Sequence, residues 1–291
     1  MNKADCNGVL VNYTILDENT ENTPVVLVHG LGANMSFWYM DIAKKLAKDR
    51  TIVMYDLRGH GYSDMPESGY DTETMEKDLS DLLKVLKVSR YHLVGHSYGA
   101  GVCILNAFNN KNNVASLTIA DTQLDCLQSE LRLKDWKHWE RWKQDLIENR
   151  IEQLPSDESK IDFELLQYLN TLKGKSNGIS KGKSLKRLSL KNKGSKKWKR
   201  LLEETTARDD FEDQSSLTLK VIRGIESPIL CLYGEFSHCL PTSRRIKEIH
   251  GNSTCIEIEG LGHFHPSLNP KRFTKEVQSF IVKHEGRGQN G

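Results

Sequence analysis

Tyr91-His92-Leu93-Val94-Gly95-His96-Ser97-Tyr98-Gly99-Ala100 is the stretch on which the reading of this chain turns. Tyr91 to Val94 is a short apolar run that predicts a strand, and Ala100 to Phe108 predicts a helix directly after it. Gly95-x-Ser97-x-Gly99 lies between them. A strand that passes straight into a helix needs a sharp turn, and small residues two positions either side of the serine relieve its crowding. Such a turn holds the serine oxygen above the carboxyl edge of a sheet, at the positive end of the following helix. Alone, the pattern is weak. Between strand and helix it marks Ser97 as a candidate nucleophile.

Working outward, strands are predicted at Val9 to Leu16, Val25 to His29, Thr51 to Tyr55 and Val114 to Ala120. Helical spacing of apolar residues runs from Phe37 to Ala47 and from Thr72 to Lys87. Strands alternating with helices imply βαβ units and a mostly parallel α/β sheet. The alternation stops at Asp121 and resumes with a strand at Pro228 to Tyr233, a helix at Thr242 to Ile249, a strand at Ser253 to Ile258 and a closing helix at Pro270 to Lys283. The expected organisation is an α/β core of residues 1–121 and 226–291, with a helical cap inserted at 122–225. Within the cap, helices are expected at Leu131 to Ile151, Asp162 to Leu172 and Trp198 to Thr206.

A serine hydroxyl needs a base within hydrogen-bond reach. Of ten histidines, His263 falls just past the last strand, in Gly260-Leu261-Gly262-His263-Phe264, where a flexible loop can return an imidazole over the sheet edge. Charge on a tetrahedral intermediate needs backbone donors. The amide of Tyr98 is one candidate, and that of Leu31, in His29-Gly30-Leu31-Gly32, is the other. The His29 side chain is expected only to brace this loop.

His29-Gly30-x-Gly32, Asp56-x-Arg58-Gly59-x-Gly61-x-Ser63, Gly95-His96-Ser97-x-Gly99 and Gly260-x-Gly262-His263 together resemble the α/β-hydrolase superfamily. The likeness is closest to its esterases, C–C hydrolases, haloperoxidase-like enzymes and epoxide hydrolases, and it covers the core on both sides of the insert. It implies Ser97 as nucleophile, His263 as base and the Leu31 and Tyr98 amides as oxyanion hole. Dehalogenases and epoxide hydrolases carry aspartate where this chain has Ser97, which points away from both.

The resemblance also implies an aspartate after the penultimate strand, but the stretch here reads Gly234-Glu235-Phe236-Ser237-His238-Cys239-Leu240-Pro241. A serine hydroxyl at 237 can orient an imidazole but cannot stabilise an imidazolium. Three accounts stay open. Asp121, at the end of Leu117-Thr118-Ile119-Ala120-Asp121, supplies the acid, as in some lipases and haloalkane dehalogenases; or Glu235 or Asp125 does so from nearby; or the relay is defective. The first two give hydrolysis or transfer of an ester or thioester through an acyl-Ser97 intermediate, with C–C hydrolysis beside a ketone as a variant. The third gives a low-turnover small-molecule-binding or signalling protein on the same fold.

Composition adds partners. The net charge is +2, yet Leu172 to Arg200 holds twelve Lys or Arg and no acid, which leaves 29 basic against 39 acidic residues elsewhere. This tract, Lys173–Arg200, is either a solvated loop or a docking surface for an acidic carrier protein, for coenzyme A phosphates or for an anionic membrane. Nucleic acid is not expected, since no aromatic residue interleaves the tract before Trp198. Trp136, Trp139, Trp142, Phe163 and Tyr168 in the cap favour an apolar acyl substrate, although spacing by threes among the tryptophans also suits packing. Six scattered cysteines with no metal-type spacing, no secretory signal and no long apolar run suggest a cytoplasmic protein with no cofactor and no metal.

Overall fold

Asn7-Gly8 begins the architecture. Both residues have positive φ, +50° and +77°, and close a two-residue hairpin between β1 (Asn2–Cys6) and β2 (Val9–Leu16). That turn chemistry matches the right-handed twist of paired strands. The computed structural model describes residues 2–17, 20–148, 151, 154–161, 165 and 193–285. It contains an eight-stranded sheet, in the order β1-β2-β4-β3-β5-β6-β7-β8. The remaining strands are β3 (Val25–Val28), β4 (Ile52–Tyr55), β5 (Tyr91–His96), β6 (Val114–Ala120), β7 (Ile229–Gly234) and β8 (Ser253–Ile258). From β4 to β8 every pairing is parallel; β2 runs antiparallel to both β1 and β4.

The central strands β3 to β7 are buried along their whole length. That explains their unbroken apolar runs, because a parallel sheet is covered by helices on both faces. Helices Thr72–Val85 and Tyr98–Asn109 pack against each other, and Tyr98–Asn109 also packs against β5 and β6. The segment 36–46 and the closing helix Pro270–His284 bury Trp38, Ile42, Leu46, Phe273, Val277 and Ile281 in one core cluster with β3 and β4. The parallel order sets β3, β5, β6, β7 and β8 side by side so that their carboxyl ends share one edge, and loops from those ends build the site.

The chain divides into two compact units, Met1–Gln128 with Lys197–Gly291, and Ser129–Lys196. Residues 122–128 and 197–225, expected in the insert, thus belong to the sheet unit. Hydrogen bonds from both side chains and backbone hold them there. Gln128 Oε1 accepts from the Thr242 amide and hydroxyl, and its Nε2 donates to the His238 carbonyl. Thr206 N donates to the Glu67 carbonyl, and Tyr70 N donates to Asp210.

In the second unit, the expected helix at 131–151 is a short 3-10 turn, Leu133–Asp135, followed by Trp139–Glu148. Trp136 and Trp139 are buried there with Leu133, Leu146 and Ile161. Trp139 Nε1 donates to Asp157 at 2.7 Å, and Lys143 pairs with the same carboxylate. Two of the three tryptophans are therefore core of their own unit. Apart from Leu165, the expected helix Asp162 to Leu172, with Phe163 and Tyr168, and the tract from Lys173 to Lys191 lie outside the described residues. Among the described residues no helix is long and apolar enough to cross a membrane.

Candidate active site

Ser97 caps the helix Tyr98–Asn109 with φ +54° and ψ −129°, a conformation costly for a side chain with a Cβ. Close packing enforces it. A Cβ on Gly95 would come within 2.5 Å of Ala100 Cα, and one on Gly99 within 2.4 Å of the His29 carbonyl oxygen. Only glycine lets β5 turn straight into the helix while the end of β3 lies against it.

His263 reaches this serine from the loop after β8. Its Nε2 lies 3.1 Å from Ser97 Oγ, and its Nδ1 lies 3.1 Å from Asp121 Oδ1. With an ionised Asp121, Nδ1–H donates to the carboxylate, which leaves the Nε2 lone pair for the serine hydroxyl. The ring is only 15% exposed and Asp121 is fully buried. Burial by itself would raise the Asp121 pKa. The hydrogen bond and charge of His263, the nearby His265 and the Gly234 amide override it and hold the carboxyl well below the usual range. Asp121 also takes positive φ, +55°, as it leaves β6.

Ser237, at the position where the resemblance implies aspartate, donates its hydroxyl to Asp121 Oδ1 and accepts from the Cys239 amide. It serves the carboxylate rather than the imidazole. Glu235 turns elsewhere and accepts from the Gly260 amide at 2.8 Å. Asp125 is exposed, and its neighbours are Gln123 and Gln214. Of the three candidate carboxylates, the structure brings only Asp121 to His263.

The Tyr98 amide is first in its helix and so has no intrahelical acceptor. The Leu31 amide lies in the turn after β3, where a Cβ on the adjacent Gly30 would sit 2.8 Å from Ser97 Cβ. Among the described residues no backbone carbonyl accepts from either amide. Two neutral histidines fix this turn in reciprocal fashion. His29 Nδ1–H donates to the Gly30 carbonyl while its Nε2 accepts from the Leu57 amide. His60 Nδ1–H donates to the Arg58 carbonyl while its Nε2 accepts from the Gly32 amide. Burial lowers the pKa of both, that of His60 to about 3, so each ring keeps the lone pair its role requires. His29 thus braces the loop as expected.

Three further residues escaped the sequence reading. His96 donates from Nε2 to the His263 carbonyl at 2.9 Å and stacks on Phe37, which fixes the backbone under the imidazole. His60 escaped because a histidine between two glycines reads only as a turn. Lys197, counted in the basic tract, directs its ammonium at the carbonyls of His60, Gly61 and Ser63. Beside the turn, Trp198 stacks on Phe211, and Phe211 meets Tyr98 edge-on.

A model of the α/β-hydrolase fold family matches residues 23–270. The chain belongs to that family. An uncharacterised protein of Mycobacterium tuberculosis is 39% identical over 84 residues, which are 29% of this chain and 24% of that one. A proline iminopeptidase of Heyndrickxia coagulans is 29% identical over 155 residues, 53% of this chain and 49% of that one. These matches span about a quarter and about half of the length of those relatives. Among solved structures, that of a bacterial membrane phospholipase A superposes with TM-score 0.69 at 19% identity, over 98% of this chain and 86% of that one. The last likeness is one of fold.

Proposed function

We propose that this α/β-hydrolase is a serine hydrolase that cleaves an apolar acyl ester or thioester through an acyl-Ser97 intermediate. The observation that carries this reading is the hydrogen-bonded chain Ser97 Oγ, His263, Asp121, with the serine at a helix N-terminus. Ser97 Oγ attacks the carbonyl carbon as its proton passes to His263 Nε2. The oxyanion takes the Leu31 and Tyr98 amides, each donor of this kind being worth roughly a hundredfold to a thousandfold in kcat. Asp121 stabilises the imidazolium, which then gives its proton to the leaving alcohol or thiol. Water, deprotonated by His263, attacks the acyl-enzyme and releases the acid.

Support for an apolar, uncharged substrate comes from the sheet unit itself. Tyr98, Phe211 and Trp198 form an aromatic group beside the turn, and His60, His96 and His238 are kept neutral by burial. The low-turnover alternative drew on the serine at 237; Asp121 Oδ1, 3.1 Å from His263 Nδ1, supports the enzymatic reading instead. The relative named proline iminopeptidase makes a prolyl anilide the informative competitor substrate. A fluorophosphonate should add one adduct per chain in intact-mass spectra, lost in Ser97→Ala, and nitrophenyl acyl esters should be turned over faster than prolyl nitroanilide. Absence of the adduct sinks the mechanism; faster cleavage of the anilide sinks the substrate class.

A further inference from the structure

The loop after β7 carries two side chains that the proposed chemistry does not use, and both face its base. Cys239 Sγ lies 3.2 Å from His238 Nε2 and 3.9 Å from His263 Nδ1. One donor atom from each of these three residues lies within 4.8 Å of the other two. Cys239 is 1% exposed and His238 6%. Such a group is unlike the chance neighbours of a protein surface, because water does not compete for it. Asp121 Oδ1, 3.1 Å from the His263 nitrogen, is an anionic oxygen on the same side.

A tetrahedral zinc ion bonds sulfur at about 2.3 Å and imidazole nitrogen at about 2.0–2.1 Å, which sets its ligand atoms roughly 3.3–3.6 Å apart. The two sulfur–nitrogen separations, 3.2 and 3.9 Å, fall on either side of that range. Two imidazoles, a thiolate and a carboxylate are also the ligand types zinc takes.

We propose that His238, Cys239 and His263 form an inhibitory site for a soft divalent cation such as Zn2+, with Asp121 as the carboxylate that balances its charge. Binding releases the Cys239 thiol proton to solvent and forms the metal–sulfur bond. The ion takes the Nδ1 lone pair of His263, so the ring proton moves from Nδ1 to Nε2. An imidazole protonated at Nε2 cannot accept the proton of Ser97, and the serine loses its base. The inhibition rests on the reading of His263 as base; the binding does not.

The test uses the full chain, stripped with a chelator and titrated with Zn2+ by calorimetry and with Co2+ by absorption. One equivalent should bind, cobalt should show a thiolate charge-transfer band, and saturating Zn2+ should protect Ser97 from a fluorophosphonate until chelator is added. In Cys239→Ala and His238→Ala, each compared with its own metal-free labelling rate, affinity should fall by about a hundredfold or more and protection should vanish. No binding to the stripped wild type, or equal protection in wild type and Cys239→Ala, overturns the site. A cobalt–thiolate band in a protein that never labels supports the site and overturns the hydrolase reading instead.

Discussion

The loops after β6 and after β7 leave adjacent parallel strands at the same edge of the sheet, and they divide one task differently from the pattern the resemblance implies. The loop after β7 holds Ser237, a neutral hydroxyl, where an aspartate is implied; the turn after β6 holds Asp121, a buried carboxylate bonded to His263. Because the strands are neighbours, a carboxylate from either can face the same imidazole. What the chemistry needs is a negative charge at Nδ1, and the loop that supplies it is free to change. The vacated position then becomes a support, since Ser237 and the Gly234 amide both donate to Asp121.

The largest effect separates the two loops directly. Asp121→Asn should lower kcat by about ten-thousandfold, as losing the triad carboxylate leaves the wrong tautomer and an unstabilised imidazolium. Glu235→Gln, measured on the same ester, should stay close to wild type. A smaller effect sharpens the comparison. Adding Ser237→Asp to Asp121→Asn returns a carboxylate to the neighbouring loop and should recover about tenfold or more, the worth of one hydrogen bond to a charged group. No recovery would mean that the loop after β7 can no longer reach the imidazole.

The smallest effect concerns stability. Burial lowers the pKa of His60, His96 and His238 to about 3 in the folded chain, against about 6.5 unfolded. The unfolded chain therefore binds more protons than the folded one between those values. Their contribution is complete above pH 6.5 and is lost as pH falls towards 3. Tm should decline steadily from pH 7 to pH 5, and His238→Gln, in the loop after β7, should flatten that slope. An unchanged slope would show that His238 is not held neutral.

Much of this was legible in the sequence, for physical reasons. Continuous β-branched runs signal strands buried on both faces, and Gly95-x-Ser97-x-Gly99 is demanded by contacts of 2.4 to 2.5 Å that no side chain tolerates. Asp121 was legible because it directly follows a buried strand, and His263 because it follows the last one. The hairpin strand β1 was not, since its Asn2–Cys6 sequence has no apolar run and only Asn7-Gly8 betrays it. The roles of His96, His60 and Lys197 were hidden because each depends on a partner far along the chain: the His263 carbonyl, the Gly32 amide and the carbonyls at 60, 61 and 63. Residues 122–128 and 197–225 fall in the sheet unit through hydrogen bonds such as those of Gln128, which leave no periodic trace in the sequence.

The most direct test of the relocated carboxylate is the proton NMR signal of the His263 Nδ1–H, which moves far downfield when it is bonded to a carboxylate in a water-poor site. Wild type and Glu235→Gln should both show that low-field resonance, and Asp121→Asn should lack it. Its survival in Asp121→Asn together with its loss in Glu235→Gln would contradict the assignment of Asp121.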